Sequence, residues 1–271
     1  MTGTVLESGE LLELTRRIAL QAGELAARRR REGVEVAATK SSPEDVVTLA
    51  DRETETLIRS LIADARPNDG FYGEESVADA GSSGLTWVVD PIDGTVNYLY
   101  GIRHYAVSVA VVEGEPDPST WRALAGVVVN PAIGEVFTAA AGGGSYLGDQ
   151  RLKVLPPVEL SRALVATGFG YLAKVRLEQA ALLAGLIGQV RDIRRQGTAS
   201  LDLCGVAAGR LNAYYERGLN PWDHAAGALI AQEAGARVSG LRGAAATSEF
   251  ILAAEPSVAA ALEQALVALG A

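Results

Sequence analysis

Residues 87–98 read WVVDPIDGTVNY, an apolar run that leads directly into two aspartates and a Gly-Thr pair. Residues 87–89 are typical of a buried strand, and Asp90 and Asp93 follow at its end, in a turn marked by Gly94. Taken singly, an aspartate at a strand end is often only a turn residue or a helix N-cap. Two carboxylates held close together repel each other unless a cation or protons intervene. The stretch therefore predicts a bound cation at the end of this strand.

The residues after the aspartates add a phosphate-binding feature. Magnesium takes oxygen ligands, usually one or two carboxylates together with a substrate phosphate. Gly94 allows the backbone to approach a ligand closely, and successive N–H groups at Gly94 and Thr95 can hold a phosphate. The stretch therefore predicts metal ligands and a phosphate cradle at one place, with a plain acidic turn as the alternative.

Further acidic residues support the metal interpretation. Glu74 and Glu75 follow an apolar pair and a glycine in FYGEES, and Asp223 opens a predicted helix in NPWDHAAG. Asp51 lies on a helix face shared with Ile58, which directs that face to the core. Taken separately, Glu74 and Glu75 predict a solvated acidic turn, and Asp223 predicts an N-cap. Asp51 predicts a buried acid that needs a partner. Together they predict one acidic site around the Gly-Thr turn.

Composition and charge exclude several other classes of protein. The 271 residues are 48% hydrophobic and 21% charged, which is a globular composition. No run of about 18 residues is wholly apolar, so no membrane span is expected. The net charge of −9 argues against a nucleic-acid partner, and the basic run Arg28–Arg31 is flanked by glutamates. A single cysteine and an N-terminus without a basic and apolar leader predict a cytoplasmic protein without disulfides.

Apolar periodicity predicts alternating helices and strands, and therefore layered α/β packing. Residues 155–161, LPPVELS, mark a boundary between two halves of one compact domain, about 1–155 and 156–271. Helices are expected at residues 10–31, 48–65, 174–190, 198–209, 223–234 and 257–269. Strands are expected at residues 86–90, 105–113, 123–130, 134–140, 163–167, 211–216 and 249–253, and residues 145–147 are expected to re-enter the sheet after a glycine turn.

The motifs together resemble the inositol monophosphatase family of magnesium-dependent, lithium-sensitive phosphatases, and its bacterial members most. The stretches that carry the resemblance occur in the family's order across nearly the whole chain: KSSPEDVVTLAD, GEES, WVVDPIDGTVNY, GTASLDLC and AYYERGLNPWDHAAG. The resemblance implies an αβαβα sandwich of the sugar-phosphatase type, two or three magnesium ions and a homodimer. It also implies hydrolysis of inositol monophosphate by metal-activated water without a covalent intermediate. Related phosphatases share a similar core, so histidinol phosphate, fructose bisphosphate and NADP stay open as substrates.

Carried over residue by residue, the resemblance implies a division of roles. The implied metal ligands, with Asp90 shared by two ions, are Glu74, Asp90, the Ile92 carbonyl, Asp93 and Asp223. The implied catalytic residues, among them the Thr95–Asp51 pair that acts on the attacking water, are Asp51, Thr95 and Glu74. The phosphate and the alcohol half of the substrate would contact Glu74, Ile92, Asp93, Gly94, Thr95, Gly197, Thr198, Ala199, Glu216 and Asp223. Auxiliary residues near the metals are Lys40, Glu75 and again Asp51.

Other readings of the sequence are weaker. Cys204 and Arg210 have the C-x5-R spacing of cysteine-based tyrosine phosphatases, but no histidine precedes the cysteine and no Ser or Thr follows the arginine. A packed helical cysteine is therefore expected. His104 and His224 are the only histidines, which argues against a zinc or phosphohistidine mechanism. A non-enzymatic alternative, a regulatory or RNA-machinery protein on the same fold, stays open because fold does not fix function.

Overall fold

The structure is a computed structural model that describes residues 2–39 and 46–271. In these residues the chain forms seven α-helices, fourteen strands and two short 3-10 helices, Leu160–Arg162 and Ile187–Gln189. The α-helices are α1 (Thr2–Glu32), α2 (Leu49–Ala65), α3 (Thr95–Tyr100), α4 (Ala173–Leu186), α5 (Ala199–Ala207), α6 (Pro221–Glu233) and α7 (Pro256–Ala268). The strands are β1 (Val36–Thr39), β2 (Val46–Thr48), β3 (Gly70–Gly73), β4 (Leu85–Asp93), β5 (Ala106–Glu113), β6 (Arg122–Asn130), β7 (Glu135–Ala140), β8 (Gly144–Leu147), β9 (Gln150–Arg151), β10 (Leu164–Thr167), β11 (Asp192–Arg194), β12 (Ala213–Glu216), β13 (Arg237–Ser239) and β14 (Ile251–Ala254).

The first half of the chain builds a seven-stranded sheet in the order β3-β4-β5-β6-β7-β8-β9. β3 and β4 are parallel, and every later neighbour in this order is antiparallel. β4, β5 and β6 are rich in valine and are buried along nearly their whole length, as expected for central strands covered on both faces. Because the sheet is covered on both faces, the end of β4 is held rigidly inside the molecule.

The second half builds a five-stranded sheet in the order β11-β10-β12-β14-β13. β10 pairs in parallel with β11 and β12, whereas β14 is antiparallel to β12 and β13. β12 is central and ends at Glu216, so this carboxylate is delivered from the middle of the second sheet.

Helices and sheets alternate in five layers. α1 and α2 cover one face of the seven-stranded sheet, where Ile18 and Ile58 share a hydrophobic cluster with β4, β5 and β6. α5 and α6 lie between the two sheets, with Ile230 in a cluster with the first sheet and Leu203 in a cluster with the second. α4 and α7 cover the outer face of the second sheet through residues such as Leu262. This arrangement confirms the αβαβα fold predicted from the sequence.

The bounds of several elements differ from the sequence predictions. The helix expected at 174–190 ends at Leu186 and continues only as a 3-10 turn, consistent with the low helix propensity of Gly185 and Gly188. The helix expected at 10–31 already begins at Thr2. The elements that the periodicity did not predict are all short: β1, β2, β3, β9, β11, β13 and α3. No helix in the described part of the chain is both long enough and apolar enough to cross a bilayer.

Candidate active site

A bulge in β4 brings Asp90 and Asp93 to the same cavity. Side chains three residues apart on a regular strand point to opposite faces of the sheet. Between these two aspartates the register with β5 shifts: Asp90 pairs with Ser108 and Asp93 with Ala106, so β4 carries one extra residue. Pro91 lies within this step and has no N–H to give to the ladder. Both aspartates line the same cavity as a consequence.

Gly94 allows α3 to start immediately after this bulge. Its φ of 89° lies in the left-handed region, which favours glycine. A Cβ at residue 94 would also collide with the Thr198 hydroxyl, so the backbone approaches the start of α5 closely. Thr95, the first residue of α3, therefore follows the bulge directly and lines the same cavity.

Asp51 lies behind Thr95, at the start of α2. One of its oxygens, Oδ2, accepts hydrogen bonds from the backbone N–H and the hydroxyl of Thr48, which caps the helix. The other, Oδ1, is 3.3 Å from the Thr95 hydroxyl, which also lies 3.1 Å from the Ile92 carbonyl. Burial raises the pKa of Asp51 to about 7. The structure thus brings together the Thr95–Asp51 pair.

Three acidic side chains of the site each have one oxygen oriented by a backbone N–H. Oδ1 of Asp90 accepts from the Ile92 N–H at 3.0 Å. Oδ2 of Asp93 accepts from the N–H of Ser200 at 2.7 Å and also from its hydroxyl. Oδ2 of Asp223 accepts from the Asn220 N–H at 2.6 Å, at the start of α6. Such contacts hold a carboxylate in one orientation, as the outer contacts of metal ligands commonly do.

The electrostatics of this cluster are unfavourable for negative charge. Burial raises the pKa values of Asp90 and Asp223 well above the ordinary range, and the neighbouring charge of Glu74 raises both further. Burial likewise raises the pKa of Asp93 to about 7, although its hydrogen bonds from Ser200 oppose the shift. Unprotonated carboxylates packed this densely are stable only beside a cation.

The donor set fits a hard divalent cation that keeps part of its water shell. In the described part of the chain, no three Asp, Glu, His or Cys side chains converge closely enough to enclose a metal ion by themselves. Magnesium does not require such a cage, since it is usually bound by one or two carboxylates with waters and substrate phosphate. The oxygens of Asp90, Asp93 and Asp223, with Glu74 beside them, provide ligands of that kind.

α5 starts on the opposite side of the cavity and is tied to α3. Gly197 precedes the helix with a φ of 88°, and the Thr198 hydroxyl donates to the His104 carbonyl at 2.8 Å. The Asn97 amide of α3 donates to the carbonyls of both His104 and Gln196. These bonds join the segment after β11 to the end of β4, so the two halves of the chain share one site.

The cavity has a volume of about 590 Å³. The residues expected at the site that line it are Glu74, Asp90, Ile92, Asp93, Gly94, Thr95, Gly197, Thr198, Ala199, Glu216 and Asp223. Asp51 and Glu75 are not among the lining residues: Asp51 contacts the cavity through Thr95, and the Glu75 N–H donates to Glu55. Lys40 lies outside the described residues.

Glu216 lies at the wall of the cavity, turned inward. Its Oε2 accepts a hydrogen bond of 2.6 Å from the Tyr214 hydroxyl, and a Cβ at Gly168 would collide with its carboxylate. Burial raises its pKa to about 7. The carboxylate is thus turned toward the cavity. A surface charge paired with Arg217 would instead point to solvent.

Several residues of the site escaped the sequence reasoning. The segment after β10 supplies an apolar wall through Phe169 to Leu172, and Arg195 adds a positive charge beside Gly197. Only the GFGYL composition after a strand could have indicated this wall. Glu55, on the same face of α2 as Asp51 and one turn further on, is 3% exposed. Two acids at positions i and i+4 on a core-directed helix face could have indicated that Glu55, like Asp51, is buried and needs a hydrogen-bond partner.

The alternative thiol site is not assembled. Cys204 is fully buried, and burial raises the pKa of its thiol well above the ordinary value. Arg210 pairs with Glu135 through both ends of its guanidinium. His224 is also buried, which lowers its pKa to about 4. Cys204 is therefore a packing residue of α5.

Comparisons with known proteins agree with this geometry. An inositol-1-monophosphatase of Mycobacterium bovis is 51% identical over 208 residues, which cover 73% of this chain and 70% of that protein. The protein named Nus factor SuhB of Pasteurella multocida is 38% identical over 254 residues, 92% of each chain. The crystal structure of the extragenic suppressor protein suhB from Bartonella henselae superposes with a TM-score of 0.85 at 35% identity, and the match covers 95% of this chain and 98% of that one.

The fold, the acidic cavity and these relatives define a phosphatase, a hydrolase of phosphate esters. Within that class the chain belongs to the inositol monophosphatase family, whose model matches residues 8–269. The family resemblance predicted from the sequence motifs is confirmed.

Proposed function

We propose that this phosphatase hydrolyses inositol monophosphate to inositol and phosphate, with magnesium as its cofactor and water as the nucleophile. The observation that carries the proposal is the buried cluster of Asp90, Asp93 and Asp223 beside Glu74, at the wall of a cavity. The substrate is supported by the family and by the name of the Mycobacterium bovis relative. The cofactor is supported by the all-oxygen donor set and by its mutual repulsion.

Glu74, Asp90, the Ile92 carbonyl, Asp93 and Asp223 are the groups that would hold the magnesium ions. When bound there, magnesium neutralises the charge of the phosphate, lowers the pKa of a bound water and stabilises the leaving alkoxide. The hydrogen bonds from Ile92, Ser200 and Asn220 fix one oxygen of each aspartate, and the other oxygen would be available to an ion. The backbone N–H groups of Gly94 and Thr95 then hold the phosphate.

Thr95 and Asp51 act on the attacking water. The Thr95 hydroxyl lines the cavity and is also within hydrogen-bond distance of Asp51, so it can receive a proton from water and pass its own to the carboxylate. A carboxyl with a pKa of about 7 suits proton acceptance near neutrality. Because water is the nucleophile, no covalent bond to the protein forms.

Glu216 and the start of α5 contact the alcohol half. The Glu216 carboxylate already accepts from Tyr214 and can accept a second hydrogen bond from a substrate hydroxyl. A site that pairs with a hydroxyl discriminates against substrates that lack it. This arrangement supports a polyol phosphate over a simple aryl phosphate.

A panel of substrates tests the proposal. Phosphate release is measured with magnesium for inositol monophosphate, histidinol phosphate, fructose 1,6-bisphosphate, NADP and an aryl phosphate. We expect hydrolysis that requires magnesium, and inositol monophosphate should exceed the aryl phosphate in kcat/KM by at least about tenfold. A higher kcat/KM for histidinol phosphate, fructose 1,6-bisphosphate or NADP than for inositol monophosphate would transfer the assignment to that substrate. No release from any of them would contradict the enzymatic proposal and favour a regulatory role.

The resemblance also supports a homodimer and inhibition by lithium. Sedimentation equilibrium tests the first, with a dimer mass expected at micromolar concentration. Phosphate release with added lithium tests the second, with a loss of turnover expected at constant magnesium. A monomer or a lithium-resistant enzyme would remove the corresponding proposal without affecting the assignment of the reaction.

A further inference from the structure

Thr48 ends β2 and directly precedes α2, and it is fully buried. Its hydroxyl and its backbone N–H both donate to the same oxygen of Asp51, Oδ2, at 2.5 Å and 2.7 Å. The hydroxyl also accepts from the Asp51 N–H at 3.3 Å. A capping box accounts for the accepted bond and for the backbone bond, but not for a hydroxyl that donates to the carboxylate. The donated bond therefore calls for a role beyond starting the helix.

The start of α2 is packed against the bulge of β4. Ala50 shares a hydrophobic cluster with Ile92 of the bulge and Tyr98 of α3. Because these three residues are buried, their packing fixes the backbone at Asp51 relative to Thr95. Packing fixes the rotation of the Asp51 carboxyl group less well, since a terminal torsion of this kind has a broad energy minimum. That rotation decides which oxygen faces Thr95.

The two oxygens of Asp51 are held unequally. Oδ2 has the two short contacts from Thr48, whereas Oδ1 lies 3.3 Å from the Thr95 hydroxyl. Hydrogen bonds to an ionised carboxylate are stronger than neutral ones, and the short bonds are the strong ones among them. The orientation of the carboxyl group is therefore set by Thr48, and the longer contact with Thr95 depends on it.

We infer that Thr48 is a positioning residue, whose hydroxyl fixes Oδ2 of Asp51 so that Oδ1 faces Thr95 and can accept its proton. The inference rests on the proposed phosphatase function and adds to it a residue that is not among the described residues lining the cavity. Burial raises the pKa of Asp51, and the hydrogen bond from the Thr48 hydroxyl opposes this shift. The same contact thus orients the carboxyl group and favours the ionised form that accepts a proton.

Thr48→Val and Thr48→Ser form a matched pair. Valine keeps the branched shape and deletes the hydroxyl, while serine keeps the hydroxyl and deletes a methyl group. We expect Thr48→Val to lower kcat for inositol monophosphate about tenfold with little change in KM, because one of the two bonds to Oδ2 is lost. Thr48→Ser should stay within about twofold of the wild type. Equal kcat in the wild type and Thr48→Val, or equal losses in both variants, would overturn the inference.

Thr48→Val also weakens a helix cap, so its control is the loss of a cap far from the cavity. Glu255 caps α7, where its carboxylate accepts from the N–H groups of Ser257 and Val258. We expect Glu255→Ala to lower the midpoint of urea unfolding about as much as Thr48→Val and to keep the wild-type kcat. A comparable fall of kcat in Glu255→Ala would attribute the effect to lost stability and contradict the inference.

A double-mutant cycle shows whether Thr48 acts through Thr95. The kcat values of the wild type, Thr48→Val, Thr95→Val and the double variant are compared with magnesium present. Once the Thr95 hydroxyl is absent, we expect Thr48→Val to change kcat by less than about twofold, because residues that act through one contact are not additive. The same loss in both backgrounds would place the action of Thr48 elsewhere and refute the inference.

Crystal structures of the wild type and Thr48→Val separate this inference from the proposed function, since they do not depend on activity. We expect Oδ1 of Asp51 within hydrogen-bond distance of the Thr95 hydroxyl in the wild type, and a carboxyl group rotated away from it in Thr48→Val. This result without hydrolysis of any substrate by the wild type would keep the inference and overturn the function. An Asp51 that keeps its orientation in Thr48→Val would overturn the inference, and hydrolysis of inositol monophosphate by the wild type would still uphold the function.

Discussion

The geometry of the site depends on single residues in the stretch 87–98. Pro91 and the extra residue opposite β5 bring two aspartates that would alternate across a regular strand to one cavity. Gly94 then reverses the chain tightly enough for Thr95 to start a helix beside them. The segment D-P-I-D-G-T, residues 90–95, is therefore one structural unit. In it, Pro91 and Gly94 set the backbone path that brings both aspartates and Thr95 to the cavity.

Thr95→Val tests the proposed action on water. The substitution keeps the shape of the side chain and deletes the hydroxyl that is 3.3 Å from Asp51. We expect kcat for inositol monophosphate to fall by about a hundredfold with little change in KM, the pattern of an interaction made mainly in the transition state. Thr56→Val, on the exposed face of α2, is the control and should keep wild-type kinetics. An unchanged kcat in Thr95→Val would remove the hydroxyl from the mechanism.

Cys204→Ala distinguishes a packing cysteine from a nucleophile. The thiol is fully buried in α5, so the substitution removes buried volume and should cost about 1 kcal/mol of unfolding free energy. We expect activity within about twofold of the wild type, because water is the proposed nucleophile. Urea unfolding and steady-state kinetics on the same preparation measure both effects. A folded but inactive variant would reverse the choice of mechanism.

At the scale of elements, four helices begin at the site. α2 contributes Asp51, α3 contributes Thr95, α6 contributes Asp223, and α5 holds Asp93 through the N–H of Ser200. The start of each helix presents N–H groups that no backbone carbonyl of that helix accepts, so it favours the anionic groups gathered here. Helix starts thus provide the backbone donors to Asp51, Asp93 and Asp223, whereas the donor to Asp90 is the Ile92 N–H within β4.

Glu55 is a positioning residue that holds the segment after β3 against α2. Its carboxylate accepts from the Glu75 N–H at 2.8 Å, and a Cβ at Gly73 would collide with it. We expect Glu55→Ala to raise the magnesium concentration for half-maximal activity about tenfold, because the neighbouring Glu74, a proposed ligand, loses its support. Glu55→Gln keeps an acceptor and should show a smaller change.

Hydrogen exchange of the Glu75 amide gives a second readout for Glu55, since it reports the bond itself and does not depend on activity. Faster exchange is expected in Glu55→Ala than in the wild type. Glu53→Ala is the matched control, because Glu53 is half exposed and pairs with Arg29 on the surface. Equal magnesium dependence and equal exchange in Glu55→Ala and the wild type would show that Glu55 has no positioning role.

Sequence reasoning predicted the long periodic elements and the acidic residues, but not the contacts that join them. α2, α6 and β4 had a clear apolar period or run, whereas β11 and β13 span only three residues each, too few for a period to appear. The bonds from Asn97 to the segment before α5 link residues about a hundred positions apart. Arg195 had no motif at all, and only the folded cavity reveals its position.

At the scale of the whole molecule, the site lies where the two halves of the chain meet. The first sheet supplies Asp90 and Asp93, the second supplies Glu216, and α5 and α6 lie between the sheets. A cluster of buried acids at this junction is expected to oppose folding unless it is protonated or neutralised. The free energy of unfolding should therefore depend on whether the carboxyls of the site are protonated, ionised or neutralised by a cation.

Removal of metal should make stability fall as the pH rises. Burial raises the pKa values of Asp93 and Glu216 to about 7, above the ordinary carboxyl range. A carboxyl with a raised pKa in the folded state contributes stability below its unfolded pKa and loses it as the pH rises through the folded value. We therefore expect the unfolding free energy in excess chelator to fall by about 5 kcal/mol between about pH 5 and pH 8, about half of it from each carboxyl.

Urea unfolding at several pH values measures this effect, with a parallel series in magnesium as the control. If magnesium binds the folded state as proposed, it should restore stability at the upper end of the range, where the carboxyls are ionised. Stability that rises with pH in chelator would contradict the electrostatic account of the cluster.

The magnesium dependence of phosphate release from inositol monophosphate, measured for the wild type and for Asp90→Asn, tests the central claim most directly. Asp90 is buried, and the charges of Glu74, Asp93 and Asp223 act on it, so its charge is central to any ion held there. The account predicts that excess chelator abolishes wild-type turnover, that magnesium restores it, and that folded Asp90→Asn loses at least about a hundredfold in turnover at every magnesium concentration. Wild-type turnover that persists in excess chelator, or Asp90→Asn with wild-type turnover and magnesium dependence, would contradict it.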